Sequence, residues 1–232
     1  MAEPTTPSVT VSTNTCITQT AYTTGQAAWS DAVNADGDVL RSAFVISNQR
    51  INCLTFPMTS VQEVLSAVGA RYVRLDFLLI PTSTATTGGF TAVLYAVNDK
   101  GQPLTAYYGP ATATVLPQLV GNGEVPASLV TLWKNNWTGA TVKKDLFMTT
   151  SGTGTPTPLL GYRFDVDSIV SALFIAGESP TMNLLFALHN YFGPDSLTTQ
   201  LNRFGVVLTP SNPGPGAAAA LFHDMLMPCP PY

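Results

Sequence analysis

Histidine does much of the acid–base and metal chemistry near neutral pH, and this chain has two, His189 and His223. His189 lies in the apolar run LLFALHNYF, the setting of a core or interface histidine. His223 stands beside Asp224 in a proline-bounded tail. Adjacency in sequence does not orient an imidazole, because catalytic partners meet through the fold. No HExxH, GxSxG, GxGxxG or Walker A pattern occurs. The reading is a protein that is not an enzyme, with no catalytic or cofactor-binding residue assigned. Cys16, Cys53 and Cys229 are odd in number and show no CxxC spacing. They read as reduced thiols, not a disulfide framework or zinc site.

Carboxylates offer calcium chemistry. Asp36-Gly37-Asp38, with Asp31 and Asn34 nearby, is oxygen-rich and turn-like. It lacks the downstream bidentate Glu of an EF-hand loop. Asp165 and Asp167 flank Val166 and would share one face of a strand. Asp99 belongs to the turn Asn98-Asp99-Lys100-Gly101. None of these is a clear metal motif, so no metal ligand is assigned and structural calcium stays an open alternative. Lys143-Lys144, next to Lys134, is the one basic cluster and the candidate for phosphate contacts. Tyr95, Tyr107, Tyr108, Trp133 and Trp137 could line a sugar site. Asn136-Trp137-Thr138 matches a glycosylation acceptor and reads as a chance match, because no secretion signal accompanies it.

Short β segments must position these groups. Val73, Leu75, Phe77 and Leu79 alternate with Arg74, Asp76 and Leu78 until Pro81. After the turn-rich linker Thr82–Gly89, Phe90, Ala92, Leu94 and Ala96 alternate with Thr91, Val93, Tyr95 and Val97. Period-2 alternation between Pro and Gly breakers predicts strands over Tyr72–Ile80 and Phe90–Asn98. Further β-prone runs are Val39–Ile46, Ile51–Phe56, Ala113–Val120, Leu129–Lys134, Ala140–Thr149, Leu159–Asp165, Ile169–Ala176, Met182–Asn190 and Arg203–Leu208. Many short strands with Gly/Pro turns predict a sandwich or barrel. One helix is expected around Thr59–Leu65, with Ser60 and Glu63 as a capping box and Gly69 ending it. The first 25 or so residues, rich in Thr, Ser and Pro, read as an extended arm. The end is broken by Pro213, Pro215, Pro228, Pro230 and Pro231, with a short helix expected over Ala217–Met227.

Charge is scarce. Charged residues are 10% of the chain, against about 25% for an ordinary soluble domain. Hydrophobic residues are 45%, enough for a core, and the net charge is −4. An isolated monomer normally carries more surface charge. Two readings stay open: a surface solvated by Thr and Ser, or a surface buried against neighbours. No Lys or Arg precedes Arg41 or follows Arg203. No apolar stretch is long enough to span a bilayer as a helix. The start, MAEPTTPSVTVSTNTC, lacks the basic and apolar regions of a signal peptide, so synthesis in the cytoplasm is expected.

The segment RYVRLDFLLIPTSTATTGGFTAVLYAVNDKGQP, led by the helix at Thr59–Leu65, resembles the C–D region of jelly-roll coat proteins from small icosahedral positive-strand RNA viruses. The shared pattern is a strand ending in Pro, a Ser/Thr-rich loop, a Gly, an aromatic-aliphatic strand and an Asp-containing turn. A weaker echo, SALFIAGESPTMNLLFALHNYF, is similar to the late strand pair of that fold. The strand pattern is of the tombusvirus and sobemovirus type. The missing basic arm is closer to the tymovirus type.

The resemblance implies an all-β fold, a single eight-stranded antiparallel jelly-roll sandwich with one or two short helices and extended termini. The expected organisation is an extended arm over 1–35, a shell domain over 36–210 and a Pro-rich extension over 211–232. It also implies self-assembly into a closed shell around genomic RNA, in a virion whose subunits are made in the host cytoplasm. Partners would be copies of the chain and RNA, with polyamines or cations balancing phosphate charge, and neither a membrane nor a small-molecule substrate. Lys143 and Lys144 would face the RNA. The rival from another class is a carbohydrate-binding or adhesin-like β-sandwich.

Overall fold

The two alternating runs form one antiparallel hairpin, in register from Tyr72↔Val97 to Ile80↔Gly89. In the computed structural model the described residues are 16–80, 89–114, 125–150, 155–174, 179–193, 196–210 and 227–229. In chain order the elements are β1 (Cys16–Ile17), α1 (Gln19–Ala35), α2 (Asp38–Ser42), β2 (Val45–Ile46), β3 (Gln49–Arg50), β4 (Cys53–Pro57), α3 (Met58–Leu65), β5 (Tyr72–Ile80), β6 (Gly89–Val97), β7 (Tyr107–Tyr108) and β8 (Thr112–Thr114). There follow α4 (Ala127–Gly139), a 3-10 turn at Lys144–Phe147, β9 (Met148–Thr150), β10 (Pro156–Pro158), β11 (Gly161–Asp165), α5 (Val166–Phe174), β12 (Thr181–Gly193), β13 (Ser196–Pro210) and β14 (Met227–Cys229).

Two sheets carry the fold. One has the order β1-β7-β6-β5-β11-β14, the other β13-β12-β4-β8. Within the first, β5, β6 and β7 follow one another and β11 returns beside β5, which is a Greek key. All strand pairings are antiparallel among the described residues. The molecule is mostly β and compatible with a β-sandwich. Val73, Leu75, Phe77 and Leu79 of β5 enter the main core with Phe90, Ala92, Leu94 and Ala96 of β6. From the other sheet come Leu184, Phe186 and Leu188 of β12 and Phe204, Val206 and Leu208 of β13. The alternation read from sequence therefore holds on the β5–β6 hairpin. The Tyr162 hydroxyl donates to the Phe204 carbonyl and ties the sheets together.

Helix content exceeds the one or two short helices expected. Gln19–Ala35, taken as part of an extended arm, is a helix of 17 residues. Thr18 caps it by accepting the Ala21 N–H at 3.2 Å, and Asp36 ends it at φ 49°. Its apolar stripe is Tyr22, Trp29, Ala32 and Val33, diluted by Thr, Ser and Gly. A β-carbon on Gly25 would lie 3.1 Å from Leu78 Cβ, so glycine is what lets helix and strand approach. Trp29 is fully buried, with its ring edge-on to Phe44, Phe77, Phe90 and Phe147. α1 is thus part of the packed unit.

Leu129–Lys134 and Ile169–Ala176, expected as strands, lie in α4 and α5 as far as they are described. Val130, Trp133 and Trp137 recur at helical spacing, as do Ile169 and Leu173. Short apolar runs do not separate the two periods, and packing decides. Val39–Ile46 divides between α2 and β2, and Ala140–Thr149 between the 3-10 turn and β9. α3 occupies the expected place, but Pro57 is its N-cap and Ser60 lies buried inside it, so no capping box forms. It ends at Ser66, before Gly69. Ala113–Val120 and Ala217–Met227 fall largely outside the described residues, where β8 and β14 touch their ends.

Candidate functional site

Strand alternation puts Tyr72, Arg74, Asp76 and Leu78 on the face of β5 turned away from the main core. A carboxylate there needs water or donors, and α1 removes the water. Asp76 is fully buried. Its Oδ2 accepts the hydroxyls of Tyr22 and Tyr95, each at 2.7 Å, and Nε2 of Gln26 at 3.2 Å. Its Oδ1 accepts Arg74 Nε at 3.2 Å and Nη2 at 3.0 Å. The Tyr22 ring stacks on Tyr107 with centroids 4.1 Å apart. Burial first, and then the Asp76 charge, push the phenols of Tyr22 and Tyr95 above their ordinary value. A carboxylate with donors on both oxygens is occupied; what this network does is fasten α1 to the sheet.

Past this network, β11 sets Arg163 directly opposite Arg74. The Arg163 guanidinium lies 4.4 Å from the Tyr72 ring centroid, and that of Arg71 lies 5.7 Å away. Arg71 Nη2 is 3.4 Å from Asp165 Oδ2. Arg71 and Arg163 thus place two cations around one aromatic ring. Neither Tyr22 with Gln26 nor Arg163 was singled out from sequence. The one available signal was Arg74 and Asp76 at i and i+2 in an apolar strand, a same-face ion pair.

The lysines expected to face RNA are both exposed. Lys143 Nζ lies 3.7 Å from Asp145 Oδ2, both side chains being exposed. The Lys144 backbone N–H donates to Asp36 Oδ1 at 2.8 Å. Lys134 is buried on α4, where desolvation lowers its pKa, so the three lysines do not form one exposed cluster.

The acidic groups serve local structure. Asp38 pairs with Arg41 at 3.2 Å, and the Asp36 carbonyl accepts Arg41 Nη2 at 3.0 Å. Asp167 lies in the first turn of α5 and not on a strand with Asp165; its N–H donates to Asp165 Oδ1 at 3.1 Å. Asp99 is exposed in its turn. Among the described residues no three His, Cys, Asp or Glu side chains are grouped to hold a metal ion.

Cys53 is buried under α4, and desolvation pushes its thiol up to about 11. His189 is half-buried on the outer face of the second sheet, its ring stacked on Trp133 at 4.0 Å and in register with Arg203. His223 lies outside the described residues. Of the rings that suggested a sugar platform, Tyr95, Tyr107, Tyr108 and Trp137 are buried. Trp133 is partly buried against α4's own cluster. No helix among the described residues is long and apolar enough to cross a membrane. No known protein family, curated protein or solved structure matches this chain.

Proposed function

We propose that this chain is the coat subunit of a small icosahedral positive-strand RNA virus, which assembles with copies of itself into a closed shell around the genome. The observation that carries the reading is the β5–β6 hairpin with α3 leading into it. It is the segment on which the resemblance rests, and its strands run over Tyr72–Ile80 and Gly89–Val97. The second echo fails as a strand pair: Ser171–Phe174 lie in α5, and β12 pairs with β13 and β4 instead. In its finer form the fold is an eight-stranded jelly roll, which has two Greek keys. The strand orders of the two sheets do not by themselves give that fold, and the jelly-roll reading rests on the sequence resemblance.

Charge scarcity supports assembly. A core of this size under a surface with so few charges suits broad lateral contacts between subunits better than life as a monomer. The reading places the protein in a virion, made in the host cytoplasm, with RNA charge balanced partly by polyamines or metal ions. Fold alone does not fix function, so assembly is the decisive property. Negative-stain microscopy and sizing of the purified chain, at neutral and mildly acidic pH, test it. Uniform closed shells are expected. A stable monomer under every condition overturns the reading and turns attention to glycan binding.

A further inference from the structure

We infer that single-stranded RNA docks on the outer face of the six-stranded sheet at Tyr72, with Arg163 and Arg71 as its phosphate contacts; this deepens the coat-protein reading and rests on it. The chain has ten Lys and Arg residues. Three of them, Arg71, Arg74 and Arg163, meet on this face because β11 pairs with β5 and sets Arg163 across from Arg74.

Their charges are not equally committed. Arg74 bonds the buried Asp76 through two nitrogens. Arg71 shares Asp165 at 3.4 Å, and its side chain stays 56% exposed. Arg163 has no carboxylate within salt-bridge distance among the described residues, and its guanidinium lies over the Tyr72 ring at 4.4 Å. A guanidinium lying over a phenol is held in place while the N–H groups at its rim stay able to grip a phosphate with two hydrogen bonds.

Tyr72 itself keeps part of its surface accessible, as does Arg163. A partly exposed ring flanked by guanidinium groups offers a base a stacking platform and its phosphate a cation, the combination that binds single strands without reading sequence. An acidic peptide would use the arginines but not the ring. The other end of this face is closed, because Tyr22 and Gln26 of α1 cover Asp76. Lys143 meets Asp145 only in a weak exposed pair; what sets Arg163 apart is the aromatic ring beneath its guanidinium.

Two phosphate contacts predict a log K against log salt slope of about −1.4 for a single strand. The test is fluorescence anisotropy of a labelled mixed-sequence RNA oligonucleotide with the purified full chain across a salt series. Arg163→Ala should flatten the slope by about 0.7. Tyr72→Ala should weaken binding about tenfold. Arg163→Gln, which keeps side-chain length, should behave as Arg163→Ala does, and thermal melting checks that each variant folds. The double variant Lys143→Ala, Lys144→Ala should bind as the parent does. Loss of the slope in that double variant, unchanged binding by Arg163→Ala, or no binding by the parent chain each overturns the site. Arg163→Glu that blocks shells while RNA affinity stays at the parent value also overturns it and makes Arg163 a subunit contact. If the parent forms no shells yet binds RNA through Arg163, the site stands and the coat reading falls.

Discussion

Asp76 is the residue on which most depends. It sits in mid-strand with no exposed surface, and three elements send donors to it. Removing the carboxylate strands Arg74, Tyr22 and Tyr95 in a dry site. Asp76→Ala should therefore cost about 3 kcal/mol or more, since one partner of a buried pair is left uncompensated. Asp76→Asn keeps an acceptor and should cost less. Urea titration measures both, and an Asp76→Ala midpoint equal to the parent's would show that the network contributes nothing. The same network predicts alkaline sensitivity. Tyr22 and Tyr95 have folded-state pKa values raised above the unfolded value of 10.0. Below about pH 10 both states hold the proton and the stabilisation is complete. As pH rises past that value the unfolded chain loses protons first, so stability falls through the folded-state range. Tyrosinate absorbance should rise together with unfolding. Ionisation of all tyrosines near pH 10 while the fold persists would contradict this.

At the scale of elements, α1 separates what could be read from what could not. Its cap residue Thr18 and its stripe Tyr22, Trp29, Val33 are in the sequence. Three threonines, a serine and a glycine within the helix lower its propensity, so it reads as an arm until Trp29 is seen inside the core. Trp29→Ala should cost about 3–5 kcal/mol, because it empties a site contacted by four aromatic rings. Deleting residues 1–25, which would probe assembly if they were only an arm, also removes Tyr22 and Gly25. Its first effect should be a lower melting temperature of the subunit, read by circular dichroism before any particle assay. α4 was misread for a different reason. Its run LVTLWK carries both periods, and tertiary support selects the helix. Arg50 of β3 donates to the carbonyls of Trp137 and Ala140 and so holds the C-terminal end of α4, while Trp137 Nε1 bonds the Ile51 carbonyl at 2.9 Å. That partner lies far back in the chain and is invisible to any local pattern. Arg50→Ala should destabilise by about 1–2 kcal/mol in a urea titration, because both carbonyls lose the one nitrogen that serves them, and Arg50→Lys, whose ammonium also carries several N–H donors, should cost less.

At the scale of the whole molecule, the central hairpins and the inward faces of β5, β6 and β12 were legible because period-2 alternation on a half-buried sheet is a local signal. The candidate site was not. Arg163 meets Tyr72 only through β11–β5 pairing, and no spacing in the sequence encodes that register. If the chain is the coat subunit proposed above, the same scarcity of charge that hid the site sets how its particle should respond to salt. Subunit contacts drawn from a surface with few ions rest on apolar burial, which salt does not screen. RNA held by a few guanidinium–phosphate contacts is screened strongly, since the Debye length shrinks from about 10 Å at 0.1 M to about 3 Å at 1 M. Raising salt across that range should leave shells sedimenting as before, while their RNA becomes accessible to nuclease or is lost. Sucrose-gradient sedimentation with the nucleic-acid-to-protein absorbance ratio measured in each fraction reads both effects at once. Shells that fall apart in high salt would mean that ion pairs, and not apolar surface, hold the subunits together. Shells that keep protected RNA at 1 M would mean that phosphate contacts are not what retains the genome.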